Sequence, residues 1–349
     1  MSDAKVKWIY NNVSGANCFF RSALEPPHLK VMIQITERCN MRCKHCFLSA
    51  TSHGEDLSLH DFRFKMMDKL VRANVKKVTL TGGEPLLNSA LVDIVTELYA
   101  ANIQTGICTN ASLISEALLQ QLLPLHVHFN VSLDGINNSS YGVFRGLSGD
   151  QDFQKISKNI RLIGSHKMLN GILVTPNNLI KSNEYRLICD LAVNAEARYL
   201  LLNPLSPFGR GRYATGYTLS ASDIMKIQSE ITSYVSDKYG AALETVFIRF
   251  PNQNSTIATN CCAGSIPYIF TNGDIAICPY TVFAASSEDN SYSRESFLVG
   301  NIFDEIDLQG AIKEYQASHD FCQCGSAENP GCAAIKISKG LPLSSTDIL

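Results

Sequence analysis

The chain reads as an α/β protein, a partial (β/α)6 barrel of parallel strands followed by a small C-terminal domain of a β-hairpin plus helix. Three observations predict this. Short apolar strands alternate with amphipathic helical stretches six times between residues 31 and 203. The rhythm then breaks at a Pro- and Gly-rich stretch running from Pro204 to Gly216. Finally, nine of the twelve cysteines fall into two groups, three at 39–46 and six at 261–332.

The first strand is expected over residues 31–36, where β-forming residues alternate, and it ends just before the first cysteine group. Ser58 with Asp61 marks a helix start, and Phe62, Met66, Met67, Leu70 and Val71 supply its apolar stripe. Residues 77–81 form the second strand, closing at Gly82-Gly83. Helices over 90–101, 115–122, 153–163 and 184–193 then alternate with strands over 104–108, 127–132, 171–175 and 199–203. One more helix is expected over 222–239. Beyond it, strands at 268–270 and 275–277 flank Asn272-Gly273, a tight-turn pair, and a helical stretch follows over 305–316. The expected organisation is an N-terminal extension at 1–30, a barrel core at 31–215 and a cysteine-bearing domain at 216–349. Regular βα repetition places ligands at the carboxyl ends of the strands.

The 30 basic and 32 acidic residues leave a formal charge of -2, with no long run of like charge. Neither nucleic acid nor an anionic membrane surface is called for. The first residues are charged and lack the apolar stretch of a signal peptide, and no segment reaches the ~20 apolar residues of a membrane span. A cytoplasmic protein is expected. Reducing conditions disfavour structural disulfides there, so metal binding is the leading account of twelve cysteines.

Cys39, Cys43 and Cys46 have the spacing C-x3-C-x2-C. A loop this short can wrap three thiolates around one corner of a 4Fe-4S cube, leaving one iron open for chemistry on a bound molecule. Spacing alone leaves zinc open as well, with His45 as a fourth ligand inside the loop. The triad directly after a first strand resembles the signature of the radical S-adenosylmethionine superfamily, in which an aromatic residue commonly precedes the third cysteine. Here that position is His45. Gly82-Gly83-Glu84-Pro85 is similar to the family's GGEP motif, which contacts the amino group of the cosubstrate's methionyl moiety. Thr109-Asn110, Ser132-Leu133-Asp134-Gly135 and Arg145-Gly146 resemble further family positions. The resemblance implies a 4Fe-4S cluster on the three cysteines and S-adenosylmethionine held by His45, Gly82, Gly83, Glu84, Asn110, Ser132 and Arg145. It also implies an external electron donor and a 5′-deoxyadenosyl radical that takes a hydrogen from the substrate.

In the C-terminal part, Cys262 precedes the Asn-Gly hairpin and Cys278 follows it, in the pattern C-x10-G-x4-C. This resembles the SPASM and twitch extensions of the superfamily, which hold auxiliary 4Fe-4S clusters. The closing half departs from a full SPASM segment, because Cys322, Cys324 and Cys332 are spaced C-x-C-x7-C with none after. One auxiliary cluster is expected, on Cys262, Cys278, Cys332 and one of Cys322 or Cys324, making this an iron-sulfur domain of the twitch kind. A structural zinc knot is the alternative. Cys108, at the end of the third strand, is a candidate catalytic thiol able to return a hydrogen atom, against the plainer reading of a packed thiol. Arg210 or Arg212 is a candidate for a substrate anion. By resemblance the substrate is a ribosomally made peptide, to be cross-linked, epimerised or oxidised, with a sugar, nucleoside or cofactor precursor as the alternative. A separate peptide-recognition protein would assist, since the N-terminal extension is short.

Overall fold

The computed structural model describes residues 8–10, 22–147, 149–248, 266–286, 292–318 and 333–342. Two short strands, β1 (Trp8–Tyr10) and β2 (Ser22–Leu24), form a separate antiparallel pair. Then come β3 (Leu29–Thr36), β4 (Val75–Gly82), β5 (Gln104–Thr109), β6 (His128–Ser132), β7 (Leu169–Val174), β8 (Tyr199–Leu202) and β9 (Glu244–Phe247). The last are β10 (Tyr268–Ile269), β11 (Asp274–Ala276) and β12 (Leu298–Asn301). β3 to β12 make one sheet in the order β12-β11-β10-β3-β4-β5-β6-β7-β8-β9.

From β10 through β9 every neighbouring pair is parallel. Parallel neighbours need long crossovers, which is why a helix stands between successive strands. Those helices include the run over 59–72, Leu91–Ala100, Glu116–Leu122, Asp150–Ser165, Ser182–Asn194 and Ala221–Tyr239. The first begins where the sequence signals it, with Ser58 Oγ accepting from Asp61 N–H at 3.0 Å. Its inward stripe of Phe62, Met66 and Leu70 is fully buried against the sheet. β3 is buried along almost its whole length, because it is covered on both faces and paired on both edges. The result is the partial barrel expected, open between its edge strands.

Two features extend the sequence reading. The helix Ala221–Tyr239 is followed by β9, a seventh strand counting from β3, which pairs parallel with β8. β9 is as short as β8, but it opens with an exposed Glu244 and a half-buried Thr245 where β8 is apolar and buried throughout. The hairpin β10–β11 forms around Asn272-Gly273 as expected, yet it is continuous with the barrel sheet, because Tyr268 and Ile269 pair with Met32 and Ile33. No helix among the described residues is long and apolar enough to cross a membrane.

Candidate functional site

The loop that leaves β3 carries Cys39, Cys43 and Cys46 past the carboxyl end of the sheet. Two other strand ends fasten it. Gly83 N–H donates to Thr36 C=O at 2.9 Å and Glu84 N–H to Arg38 C=O at 2.8 Å. Such contact demands glycine: a Cβ on Gly83 would lie 2.2 Å from the Arg38 carbonyl oxygen. The Glu84 side chain is buried and accepts from Thr109 Oγ1 at 2.6 Å, Asn110 N–H at 2.8 Å and Leu86 N–H at 3.2 Å. Burial pushes its carboxyl upward, opposed by these three donors. Asn110 in turn donates through Nδ2 to Asn40 Oδ1 at 2.9 Å, beside Cys39.

On the opposite side, Arg145 is 6% exposed and pairs with Asp134 at 2.5 Å, while its Nη1 donates to Cys43 Sγ at 3.6 Å. Burial opposes the guanidinium's charge, but Asp134, Cys43 and Tyr141 outweigh it and hold Arg145 above the ordinary arginine value. Its Nε is buried without a partner. Arg145, expected to help hold the cosubstrate, is thus in a buried ion pair with one donor left over. His45 stacks on Phe144, centroids 4.5 Å apart and 9° from parallel, with Nε2 3.5 Å from Asp134. Burial lowers its pKa to about 4, so the ring is neutral at neutral pH.

His45, Ser132, Arg145 and Cys108 line one cavity of about 460 Å³ inside the barrel, together with Asp134 and Tyr199. Gly82, Gly83, Glu84 and Asn110 are not on that wall; they brace the cysteine loop from behind. Cys108 accepts from Asn130 Nδ2 at 3.9 Å, and Asn130 Oδ1 is held by Tyr199 OH at 2.7 Å and Asn170 Nδ2 at 3.0 Å. Burial pushes the Cys108 thiol up to about 11, which keeps it as S–H.

The donor set fits a cluster. Burial pushes the thiols of Cys39, to about 12, and Cys43 upward, so they bind a metal only by giving up protons that the thiol otherwise keeps. Among the described residues no three His, Cys, Asp or Glu side chains gather closely enough for a single metal ion. A cube-shaped cluster places each cysteine on a different iron, and its ligands stand further apart than those of one ion. Of the second cysteine group, Cys278 is described, half-buried at the start of the helix Pro279–Ala285. Cys262, Cys322, Cys324 and Cys332 lie outside the described residues.

Sequence reasoning assigned no role to Asp134 or Asn40, and it considered Arg210 only for a substrate anion. Asp134 stands in a quoted motif, but its pairing with Arg145 inside the β6–β7 crossover and its approach to His45 on the cysteine loop leave no mark on spacing. Arg210 is placed on the cysteine loop, where Nε donates to Cys43 C=O at 2.9 Å.

Residues 33–181 match the family model described as Radical SAM superfamily. The mycofactocin maturase MftC of Mycobacterium tuberculosis is 24% identical over 94% of this chain and 84% of its own length. The antilisterial bacteriocin subtilosin biosynthesis protein AlbA of Bacillus subtilis is 26% identical over 72% of this chain. The chain covers 53% of AlbA and 32% of molybdenum cofactor biosynthesis protein 1 of Dictyostelium discoideum, about half and a third of their lengths. Streptococcus suis SuiB, solved with its precursor peptide SuiA, is 18% identical with a TM-score of 0.65, covering 92% of this chain and 72% of that one. That likeness shows the fold.

Proposed function

Because residues 33–181 match the family model of the Radical SAM superfamily, we propose that this chain is a radical S-adenosylmethionine enzyme that matures a peptide. The observation that carries the reading is that the loop bearing Cys39, Cys43 and Cys46 also carries His45 into the wall of the cavity, beside Arg145, whose Nη1 donates to Cys43 Sγ, while Glu84 N–H ties the same loop from behind. Cys39, Cys43 and Cys46 would hold a 4Fe-4S cluster, which would pass an electron from an external donor for reductive cleavage of S-adenosylmethionine, with methionine as the leaving group and hydrogen abstraction from the substrate as the outcome. The chain's own residues bind and orient. Arg145, Ser132 and His45 face the cavity as partners for the cosubstrate's carboxylate, ribose and base, and Glu84 with Gly82, Gly83 and Asn110 holds the cysteine loop in place behind it.

The peptide reading is supported by MftC, aligned over nearly the whole chain, and by SuiB, whose solved complex holds a precursor peptide. The C-terminal region from 216, with Cys262, Cys278, Cys332 and one of Cys322 or Cys324, is assigned an auxiliary cluster of the twitch kind. The core at 31–215 and the extension at 1–30 complete the division. We assign Cys108 to return a hydrogen atom to the substrate radical, since it lines the cavity as a neutral thiol, the resulting thiyl being restored by an electron from the external donor and a proton from solvent.

Anaerobically reconstituted protein given dithionite and S-adenosylmethionine should release 5′-deoxyadenosine, and the Cys39/Cys43/Cys46 triple alanine variant should not. A reconstituted chain with verified iron and no such product overturns the enzyme reading. The triple variant should keep about four irons on the auxiliary site; near-zero iron removes that cluster. With a precursor peptide in D2O, the wild type should place deuterium in the product. Cys108→Ala should still form 5′-deoxyadenosine but place none, and unchanged deuteration would rule Cys108 out.

A further inference from the structure

A second arginine reaches the cysteine loop from the far side of the chain. Arg210 follows β8 and stands between Gly209 and Gly211. Its backbone N–H donates to Cys46 C=O at 2.9 Å, its Nε to Cys43 C=O at 2.9 Å and its Nη1 to Ala50 C=O at 2.7 Å. Three carbonyls of one loop are therefore tied to a residue 160 or more positions away. The neighbouring glycines permit the approach. Gly209 has φ +51°, and a Cβ there would lie 2.4 Å from Phe47 O and 2.6 Å from Cys46 O. The contact also suits arginine in particular, because its planar fork offers donors fixed in direction to two carbonyls, which an ammonium cannot do. Arg210 Nη2 is buried without a partner. A cationic N–H left in that state is costly unless an anionic group reaches it.

We propose that Arg210 is a positioning residue for the cluster, holding Cys43 and Cys46 at the separation the iron requires and adding a positive charge beside the anionic centre. The inference rests on the reading that Cys39, Cys43 and Cys46 hold a 4Fe-4S cluster. It makes the segment after β8 part of the cluster's support rather than part of a substrate anion site.

The test uses the full chain as wild type, Arg210→Lys, Arg210→Gln and Gly209→Ala, all reconstituted anaerobically. The readouts are the rate of iron release to a chelator and the EPR spectrum of the reduced cluster, with and without S-adenosylmethionine. Arg210→Gln should release iron at least about tenfold faster, the equivalent of about 1.4 kcal/mol, and shift the spectrum. Arg210→Lys keeps the charge, loses the fork and should recover only part of the difference. Wild-type rates and spectra in both Arg210 variants would overturn the proposal, as would a lysine variant indistinguishable from wild type beside a defective glutamine one. Should Arg210→Gln fail to fold by circular dichroism, the lysine and Gly209→Ala variants decide on the same readouts, and wild-type behaviour in both overturns it. The same iron content in the wild type and in the Cys39/Cys43/Cys46 triple alanine variant would sink the reading of a cluster on this loop instead, a result distinct from all of these.

Discussion

His45 sits 3.5 Å from Asp134, yet burial outweighs that carboxylate and lowers the ring to about 4. The unfolded chain takes up a proton near the ordinary value of 6.5 that the native chain refuses. The sign follows from linkage: stability from this group is whole above about 6.5 and is lost as pH falls from there toward about 4. Metal-free protein should melt lower at pH 5 than at pH 7, and His45→Phe should narrow the gap in a thermal melt. Arg145 answers to a different balance. Removing one side of its buried pair with Asp134 strands a charge, so Arg145→Gln should cost about 3 to 5 kcal/mol in chemical denaturation. Combining it with Asp134→Asn should recover part of that cost, because the two changes share one interaction. The three loop cysteines were legible in the sequence, since covalent spacing decides how they can wrap a cluster. Asp134 and Arg210 were not, because their roles arise from contacts across many residues.

Helices and strands follow periodicity closely. The third strand expected over 104–108 is Gln104–Thr109, and the helix expected over 222–239 is Ala221–Tyr239. Period and capping are local, so they can be read locally. The pairing of β10 with β3 escapes such reading, because a backbone hydrogen bond carries no side-chain signature. Two side chains reinforce that long-range join. Lys69, 7% exposed, donates through Nζ to Ile302 C=O at 2.7 Å, and Gln309 Nε2 reaches Pro27 C=O at 2.8 Å and Ala73 C=O at 2.9 Å. Lys69→Met should leave that carbonyl unpaired and destabilise the chain by about 1 to 3 kcal/mol, read as a lowered denaturation midpoint. Gly83→Ala should be at least as damaging, since its Cβ meets the rigid backbone at Arg38 rather than a side chain that can move.

At the scale of the molecule, the C-terminal region is structural cover for the core as well as a candidate cluster carrier. A chain ending at Ile248 would leave the β3 edge, with its apolar Val31, Met32, Ile33 and Ile35, without the partner that β10 supplies. Unpaired apolar edges recruit other chains. That truncation should scatter light and fall out of solution under conditions where the full chain stays monodisperse. The same join sets a clock on biosynthesis. Tyr268 leaves the ribosome about 240 residues after its partner Met32, a delay of roughly 12 to 48 s at ordinary translation speeds. Throughout that interval the strand leading into the cysteine loop has one bare edge, so the nascent chain is most vulnerable to mispairing before its last third exists.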